Sequence, residues 1–388
     1  MELSRHVVET AVEWQRKIHR HPELGYKETE TSEKIGDYLR ALGWDVTSRL
    51  AGTGVLAVKK GNGEIPRLLL RAELDALPIQ EETGLPYASN TPGVSHACGH
   101  DGHLATLLGV AAGLAEADFR HGDVGLVFQP GEELLGGGRE LVEREKLFSL
   151  FDADLCLALH GMPFLASGSF GLIAGPAMAA IDTCRIRVIG RPGHGAAPHE
   201  AIDPIVIAAE IVTSLQTIIS RERNPMEPAV LSFGRINGGT ADNSIAAEVV
   251  LDGTMRYFQP AIGASMAAAI GRRAEGVAAA HGARAEVSMH TGYPPLVNDS
   301  DAVEWLRELI ITHWGSERLS VIRPMMISED FSYYLQNCPG VMIFIGTGGE
   351  YPLHHPGYSF PPEVLAAGID LFLSVIRQLP SAPSFRRR

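Results

Sequence analysis

Apolar side chains recur at helical spacing over residues 4–21 and 29–42, and short apolar runs suited to buried strands follow them. Four of those runs stop at ionisable residues. Leu68-Leu69-Leu70 precedes Glu73 and Asp75, Val124 to Phe128 precedes Glu132 and Glu133, Leu155 to Leu159 precedes His160, and Val341 to Ile345 precedes His354. Alternating strand and helix signals predict an α/β chain. Sites in open α/β sheets form beyond the carboxyl ends of the strands, so this pattern predicts acidic and imidazole groups gathered at one sheet edge.

Between about Ile181 and Tyr293 the pattern changes. Strand signals at Cys184 to Ile189, Ala229 to Ile236, Ala246 to Tyr257 and Ala285 to His290 are interleaved with helical ones at Pro204 to Ser220 and Ala261 to His281. The order βαββαβ predicts a ferredoxin-like unit. Because the strand-and-ligand pattern resumes at Met342 to Ile345 and His354, residues 181–293 read as an insertion. The host is then a discontinuous, mainly parallel α/β domain formed by residues 1–180 and 294–388.

Composition narrows the class. The length of 388 residues favours two cores over one, and 45% apolar with 20% charged residues is ordinary for a soluble globular protein. A net charge of −13, from 46 acidic and 33 basic residues, argues against a nucleic-acid partner. No uninterrupted apolar stretch has the roughly 18 to 20 residues of a membrane span, and the first residues do not resemble a signal peptide, so no membrane partner and a cytoplasmic address are expected. Cys98, Cys156, Cys184 and Cys338 are too scattered for a disulfide scaffold and are expected as thiols. Arg386, Arg387 and Arg388 after Pro380-Ser381-Ala382-Pro383-Ser384 read as a solvated tail.

The chemistry concentrates in His96-Ala97-Cys98-Gly99-His100-Asp101-Gly102-His103. Cys98 and His100 flank a glycine that lets a thiolate and an imidazole turn toward one centre, and both suit zinc-like ions, with His96 and His103 widening the choice. Taken alone the run would be a polar loop opening a helix from about Gly102 to Ala115, with Asp101 as its N-cap. Three further donor clusters at strand ends favour a metal instead. After Gln129-Pro130-Gly131, the adjacent Glu132 and Glu133 can diverge from a turn, one toward a metal and the other toward a water whose proton it takes. His160 and His354 gain weight only from this constellation.

These residues resemble a known family, the metal-dependent N-acyl-amino-acid amidohydrolases and carboxypeptidases that include hippurate hydrolase and the plant auxin-conjugate hydrolases. The matching pieces run through nearly the whole chain. They are Leu24 within His19-Arg20-His21-Pro22-Glu23-Leu24-Gly25, the stretch Arg71-Ala72-Glu73-Leu74-Asp75-Ala76-Leu77-Pro78, His96 to His103, Gly131-Glu132-Glu133, His160, Gly193-His194 with Pro198-His199, Asn243, Arg256, Glu329-Asp330-Phe331 and Leu353-His354.

The resemblance implies two divalent ions per subunit, zinc, manganese, cobalt or nickel, bridged by Cys98. Glu133 and His354 would hold one of them, and His100 and His160 the other. Glu132 would be the general base that deprotonates a metal-activated water and returns the proton to the leaving amine. Asp75 would orient a ligand histidine. The inserted domain would serve as lid and dimerisation domain, with His194 from a partner subunit stabilising the oxyanion and Asn243, Arg256 and His199 near the substrate. An Arg256 fork suits a substrate carboxylate. The expected substrate is therefore a small N-acyl amino acid or related amide, hydrolysed to a carboxylic acid and an amino acid by a homodimer or homotetramer. Two departures stand out: Glu73 occupies a position more usually Asp, and His355 beside His354 leaves a ligand swap open. Two other readings use the same residues, a hydrolytic deaminase and a metal-binding protein without turnover, the second disfavoured by a spare base at Glu132 beside Glu133.

Overall fold

A computed structural model describes residues 3–61, 65–116, 121–134, 136–382 and 385. The tail arginines Arg386, Arg387 and Arg388, with Pro383 and Ser384, lie outside the described residues. The chain divides into two compact units, one formed by Met1–Gly175, Val297–Arg323 and Asp330–Arg388, the other by Pro176–Leu296 and Pro324–Glu329.

The first unit is built on a mixed sheet of eight strands among the described residues, in the order Asp45–Leu50, Gly54–Lys59, Val124–Gln129, Leu68–Glu73, Leu155–Met162, Gly340–Gly346, Phe170–Gly171 and Leu319–Ser320. Its four central strands, Val124–Gln129, Leu68–Glu73, Leu155–Met162 and Gly340–Gly346, run parallel to one another. Every residue of these four is buried, as expected where a parallel sheet is covered on both faces. They are the four apolar runs that end in acidic and imidazole residues. Because they are contiguous and parallel, their carboxyl ends fall along one edge.

Helices Arg5–Arg20, Thr29–Ala41, His100–Glu116, Ser300–Trp314 and Leu365–Gln378 pack with this sheet around one core that includes Val7, Leu39, Leu70, Leu108, Phe128, Leu157, Ile343 and Phe372. The helix after Cys98 begins at His100, so Asp101 falls inside its first turn instead of capping it. The reason is a competing partner: the Asp101 carboxylate accepts Nδ1–H of His19 at 2.9 Å.

The second unit follows the βαββαβ element order, with strands Ala180–Ile189, Ala229–Gly238, Glu248–Tyr257 and Arg284–Thr291 and helices Pro204–Thr217 and Pro260–Ala280. In chain order its strands lie 2-3-1-4, and every neighbouring pair is antiparallel. Burial alternates residue by residue along Glu248–Tyr257, the period-two signature of a sheet packed on one face. Val249, Leu251 and Met255 join Ile207, Ile211, Met266 and Ile270 of the helices in a separate core. On the polar face Arg185 pairs with Asp252 at 2.6 Å and Arg187 with Glu286 at 3.1 Å.

The stretches Pro204–Glu222 and Pro362–Ser381 are long and apolar enough to cross a bilayer by length and composition alone. Each also contributes apolar side chains to a core. Ile207, Ile211 and Leu215 serve the second unit, and Ile369, Leu371, Phe372 and Val375 the first.

Candidate metal centre

At the carboxyl edge of the parallel strands, loops and strand ends bring the donors together. One ligand atom each from Cys98, Glu133 and His354 lies within 4.8 Å of the other two, and His100, Glu132 and Glu133 form an overlapping group of the same size. A third group joins Glu73, His100, His103 and His160. Sγ of Cys98 stands 3.6 Å from Nε2 of His160, so the sulfur lies between the two ends of the cluster.

Local backbone makes this convergence available. Gly99 has φ +86°, a conformation costly for a side-chain-bearing residue, and a Cβ there would come within 3.1 Å of the Tyr358 hydroxyl. That turn projects Cys98 and His100 from either side of the start of a helix. His354 itself has φ +64°, a strained setting for a non-glycine residue, and its N–H is held by the Ala97 carbonyl at 2.8 Å. The loop carrying His354 is thus tied to the loop carrying Cys98.

The histidines are oriented as metal ligands are. Nδ1–H of His100 donates to the Asp75 carbonyl at 2.8 Å, and Nδ1–H of His160 donates to the Gly161 carbonyl at 2.9 Å. Both rings therefore turn Nε2 inward. Nε2 of His100 is buried and meets no hydrogen-bond partner among the described residues, an expensive condition unless a cation takes the lone pair. Nε2 of His354 lies 3.1 Å from Oε1 of Glu133, yet that oxygen makes no aligned hydrogen bond. Groups that close without aligning suit convergence on a common ion. Thiolate, imidazole and carboxylate donors together fit zinc and its first-row neighbours.

Charge within the cluster is balanced tightly. The close approach of Cys98 and then of Glu133 raises the His354 pKa to about 10. Burial works to raise the Glu133 pKa, but His354 and the His100 charge bring it below its ordinary value. Burial likewise opposes charge on His100, and the negative charges of Cys98 and Glu73 override it, holding that ring well above the usual range. Metal binding to such groups releases protons, because a cation replaces them.

His103 differs from His100. Its Nδ1–H donates to Glu73 at 2.9 Å, while its Nε2 accepts the Gly161 N–H at 2.9 Å. Both nitrogens are engaged by protein, and burial, outweighing the Glu73 charge, lowers its pKa to about 4. His96 is buried as well, and burial takes its pKa to about 3. Glu73 spends its carboxylate on His103 and on Arg71, whose guanidinium also donates to Asp330 at 2.6 Å and to Gln129 at 3.0 Å. Asp75 supports the cluster through its main chain at His100 and through Oδ2, which accepts the Glu133 N–H at 2.9 Å. His355 stacks face to face on Tyr351, with ring centroids 4.4 Å apart, and its Nδ1 accepts the Gly357 N–H. His354, and not His355, is the imidazole next to Cys98 and Glu133.

His194, His199, Asn243 and Arg256 belong to the second unit. His194 pairs with Ser244 in a small antiparallel ladder, Gly193–His194 against Ser244–Ile245, and next to it the Gly195 N–H donates to the Asn243 carbonyl at 2.9 Å. His194, His199 and Asn243 are exposed, and Arg256 is half-buried with Nη1–H donating to Ser328 at 2.7 Å.

Sequence reasoning passed over two buried groups that brace the centre. His19 sits between Asp101 at 2.9 Å and Glu81 at 3.1 Å. Burial pulls its pKa down, but Asp101 first and Glu81 second raise it to about 10. Glu28 accepts the N–H of Gly131 at 2.9 Å. His19 lies inside a matching motif, though nothing local names its partners. Glu28 precedes the helix Thr29–Ala41 and resembles an ordinary helix-end residue.

Comparison with known proteins agrees with this geometry. The sequence profile of Peptidase family M20/M25/M40 matches residues 69–378. The chain is 39% identical over 368 residues to N-acetyl-L-cysteine deacetylase of Bacillus subtilis, spanning 94% of this chain and 87% of that one. It is 37% identical over 352 residues to hippurate hydrolase of Campylobacter jejuni, spanning 90% and 91%. A crystal structure described as a dinuclear metal binding peptidase of the M20 family, from Bacillus subtilis, superposes with a TM-score of 0.86 at 31% identity and covers 98% of this chain and 100% of that one. A profile match across most of the chain and full-length relatives at this identity place the donor cluster in a known setting: the chain belongs to peptidase family M20/M25/M40 and is a metal-dependent hydrolase of amide bonds.

Proposed function

We propose that the chain hydrolyses the amide bond of N-acyl amino acids or closely related conjugates, at a site where Cys98, Glu133 and His354 would hold one divalent ion and His100 and His160, next to Cys98, would hold a second. The observation that carries this reading is the pair of overlapping donor groups that share Glu133, one with Cys98 and His354 and the other with His100 and Glu132. Paired divalent cations polarise an amide carbonyl and make water acidic near neutral pH. Glu132, almost fully buried, takes the proton of the attacking water and delivers it to the departing nitrogen. Asp75 orients His100 and fixes the Glu133 main chain.

The second unit supplies the substrate contacts in this reading. Its βαββαβ order and 2-3-1-4 antiparallel sheet support a ferredoxin-like lid and dimerisation domain, residues 181–293, inserted in a catalytic domain of residues 1–180 and 294–388. His194, from the partner subunit of a homodimer or homotetramer, stabilises the oxyanion. Arg256 receives the substrate carboxylate, and Asn243 and His199 line its approach. The deacetylase and hippurate hydrolase named above support a small N-acyl substrate. The reading includes a cytoplasmic protein without nucleic-acid or membrane partners, in keeping with its −13 charge.

The test is a release assay across N-acyl amino acids, with the chain stripped of metal and reloaded with zinc, manganese, cobalt or nickel. Release of the free amino acid that depends on added metal is expected. Ammonia release in its place would assign the site to deamination, and metal binding without either product would make it non-catalytic.

A further inference from the structure

The turn that carries Glu132 and Glu133 has little regular structure of its own. The strand ends at Gln129, Pro130 has no N–H to give, and Gly131 takes φ +57°. A segment a hundred residues earlier holds it. Glu28 is fully buried; Oε1 accepts the Gly131 N–H at 2.9 Å, and Oε2 accepts the Thr53 hydroxyl at 2.7 Å. A buried carboxylate is tolerated when its oxygens are hydrogen-bonded, and each oxygen here has a partner.

The same segment also grips the neighbouring loop. The Glu23 carbonyl accepts the Ala76 N–H at 2.9 Å, next to Asp75, whose Oδ2 accepts the Glu133 N–H at 2.9 Å. The segment is anchored in turn, because the Glu23 carboxylate accepts the Thr31 N–H at 2.8 Å at the start of a helix. Tyr26 lies against the turn so closely that a Cβ on Gly131 would stand 2.6 Å from its ring. The main-chain N–H groups on either side of Glu132 therefore each end on a buried carboxylate, Gly131 on Glu28 and Glu133 on Asp75.

We propose that Glu28 is a positioning residue for the reaction: by holding the Gly131 N–H it fixes where the Glu132 carboxylate stands. The proposal rests on the reading of Glu132 as base, and its action is on geometry, since a misplacement of about 1 Å in a reacting group costs about a hundredfold in rate.

Three variants test it, followed by amide hydrogen exchange at Gly131 and by kcat and KM for amide hydrolysis. In Glu28→Ala the Gly131 amide exchanges about tenfold faster or more, kcat falls about a hundredfold and KM stays within about threefold. In Glu28→Gln the side-chain carbonyl still accepts the Gly131 N–H while the amide group faces Thr53, so exchange protection remains and kcat stays within about fivefold. A folded Glu28→Ala protein whose Gly131 amide stays protected overturns the clamp. One whose amide exchanges freely at unchanged kcat overturns its link to Glu132. If Glu28→Ala does not fold, Glu28→Asp replaces it: one methylene shorter, it loses protection and rate where Glu28→Gln keeps both, and equal behaviour of the two overturns the proposal. Exchange needs no substrate, so a wrong assignment of the amidase activity leaves that readout standing.

Discussion

The donor cluster at the sheet edge and the exposed segments that carry His194, His199 and Asn243 differ in how firmly each is held. In the cluster, Cys98, His100, Glu132 and His160 are buried while His354 is exposed, and the Asp75 and Gly161 carbonyls fix the rings of His100 and His160 as the Asp75 carboxylate fixes the Glu133 main chain. Those segments of the second unit are exposed, and the ties of their histidines are slight: Nδ1 of His194 accepts a main-chain N–H two residues on, and His199 lies 3.9 Å from Glu200. In the proposed reaction the difference separates two tasks. Holding cations in a productive geometry demands side chains locked before the ions arrive. Gripping a substrate leaves room for groups that gain partners only when substrate or a second subunit is present.

Breaking the cluster at its centre gives the largest effect. Cys98→Ala removes the thiolate between the two ends, and we expect it to lose bound metal and to drop kcat/KM by about a thousandfold or more, the several kcal/mol that cation-held charge stabilisation contributes. Metal analysis with the release assay checks this, and retention of two ions would separate Cys98 from the bridge. His194→Ala is the matching cut in the second unit. It should keep its metal and lose about a hundredfold to a thousandfold in kcat, as oxyanion donors do when removed. Mixing it with Glu132→Gln sharpens the comparison. If His194 acts across a dimer, mixed dimers regain activity, whereas a His194 acting within its own chain gives no recovery.

The smallest effect concerns a brace. His19 is cationic between Asp101 and Glu81, its pKa raised from 6.5 to about 10 in the folded chain. A raised histidine pKa stabilises the fold fully below about pH 6.5, and that contribution is lost as pH climbs through about 10. The Tm of the protein should therefore fall between pH 7 and 10, and His19→Gln should start lower and show a flatter profile over the same range. An equal slope in both proteins would show the imidazolium to be irrelevant.

Much of this arrangement is legible in the sequence, for a physical reason. Parallel strands buried on both faces read as short continuous apolar runs, and their common direction brings whatever follows each run to one edge. Glu73, Glu132, His160 and His354 were visible on that account. The alternation along the Glu248–Tyr257 strand was visible because one of its faces is packed and the other is not. Residues that act through distant partners leave no such periodic trace. Asp101 has the look of a helix cap, and only the fold shows His19 taking its carboxylate. Glu28 pairs with a glycine 103 positions away, and Arg71 with Asp330 259 positions away. The neighbouring His354 and His355 are separable only in the fold, where His354 meets Glu133 and His355 stacks on Tyr351.

Glu132 neighbours His100 and Glu133 in the donor cluster, and in the proposed reaction its task is to move the proton and not to hold an ion. Glu132→Gln tests it most directly, by measuring metal content and N-acyl amino acid hydrolysis on the same sample. Wild-type metal content, two ions per chain, is expected, with kcat reduced about a thousandfold, within the range general-base removal produces. Full hydrolytic rate with both ions bound, or loss of an ion with the substitution, would contradict it.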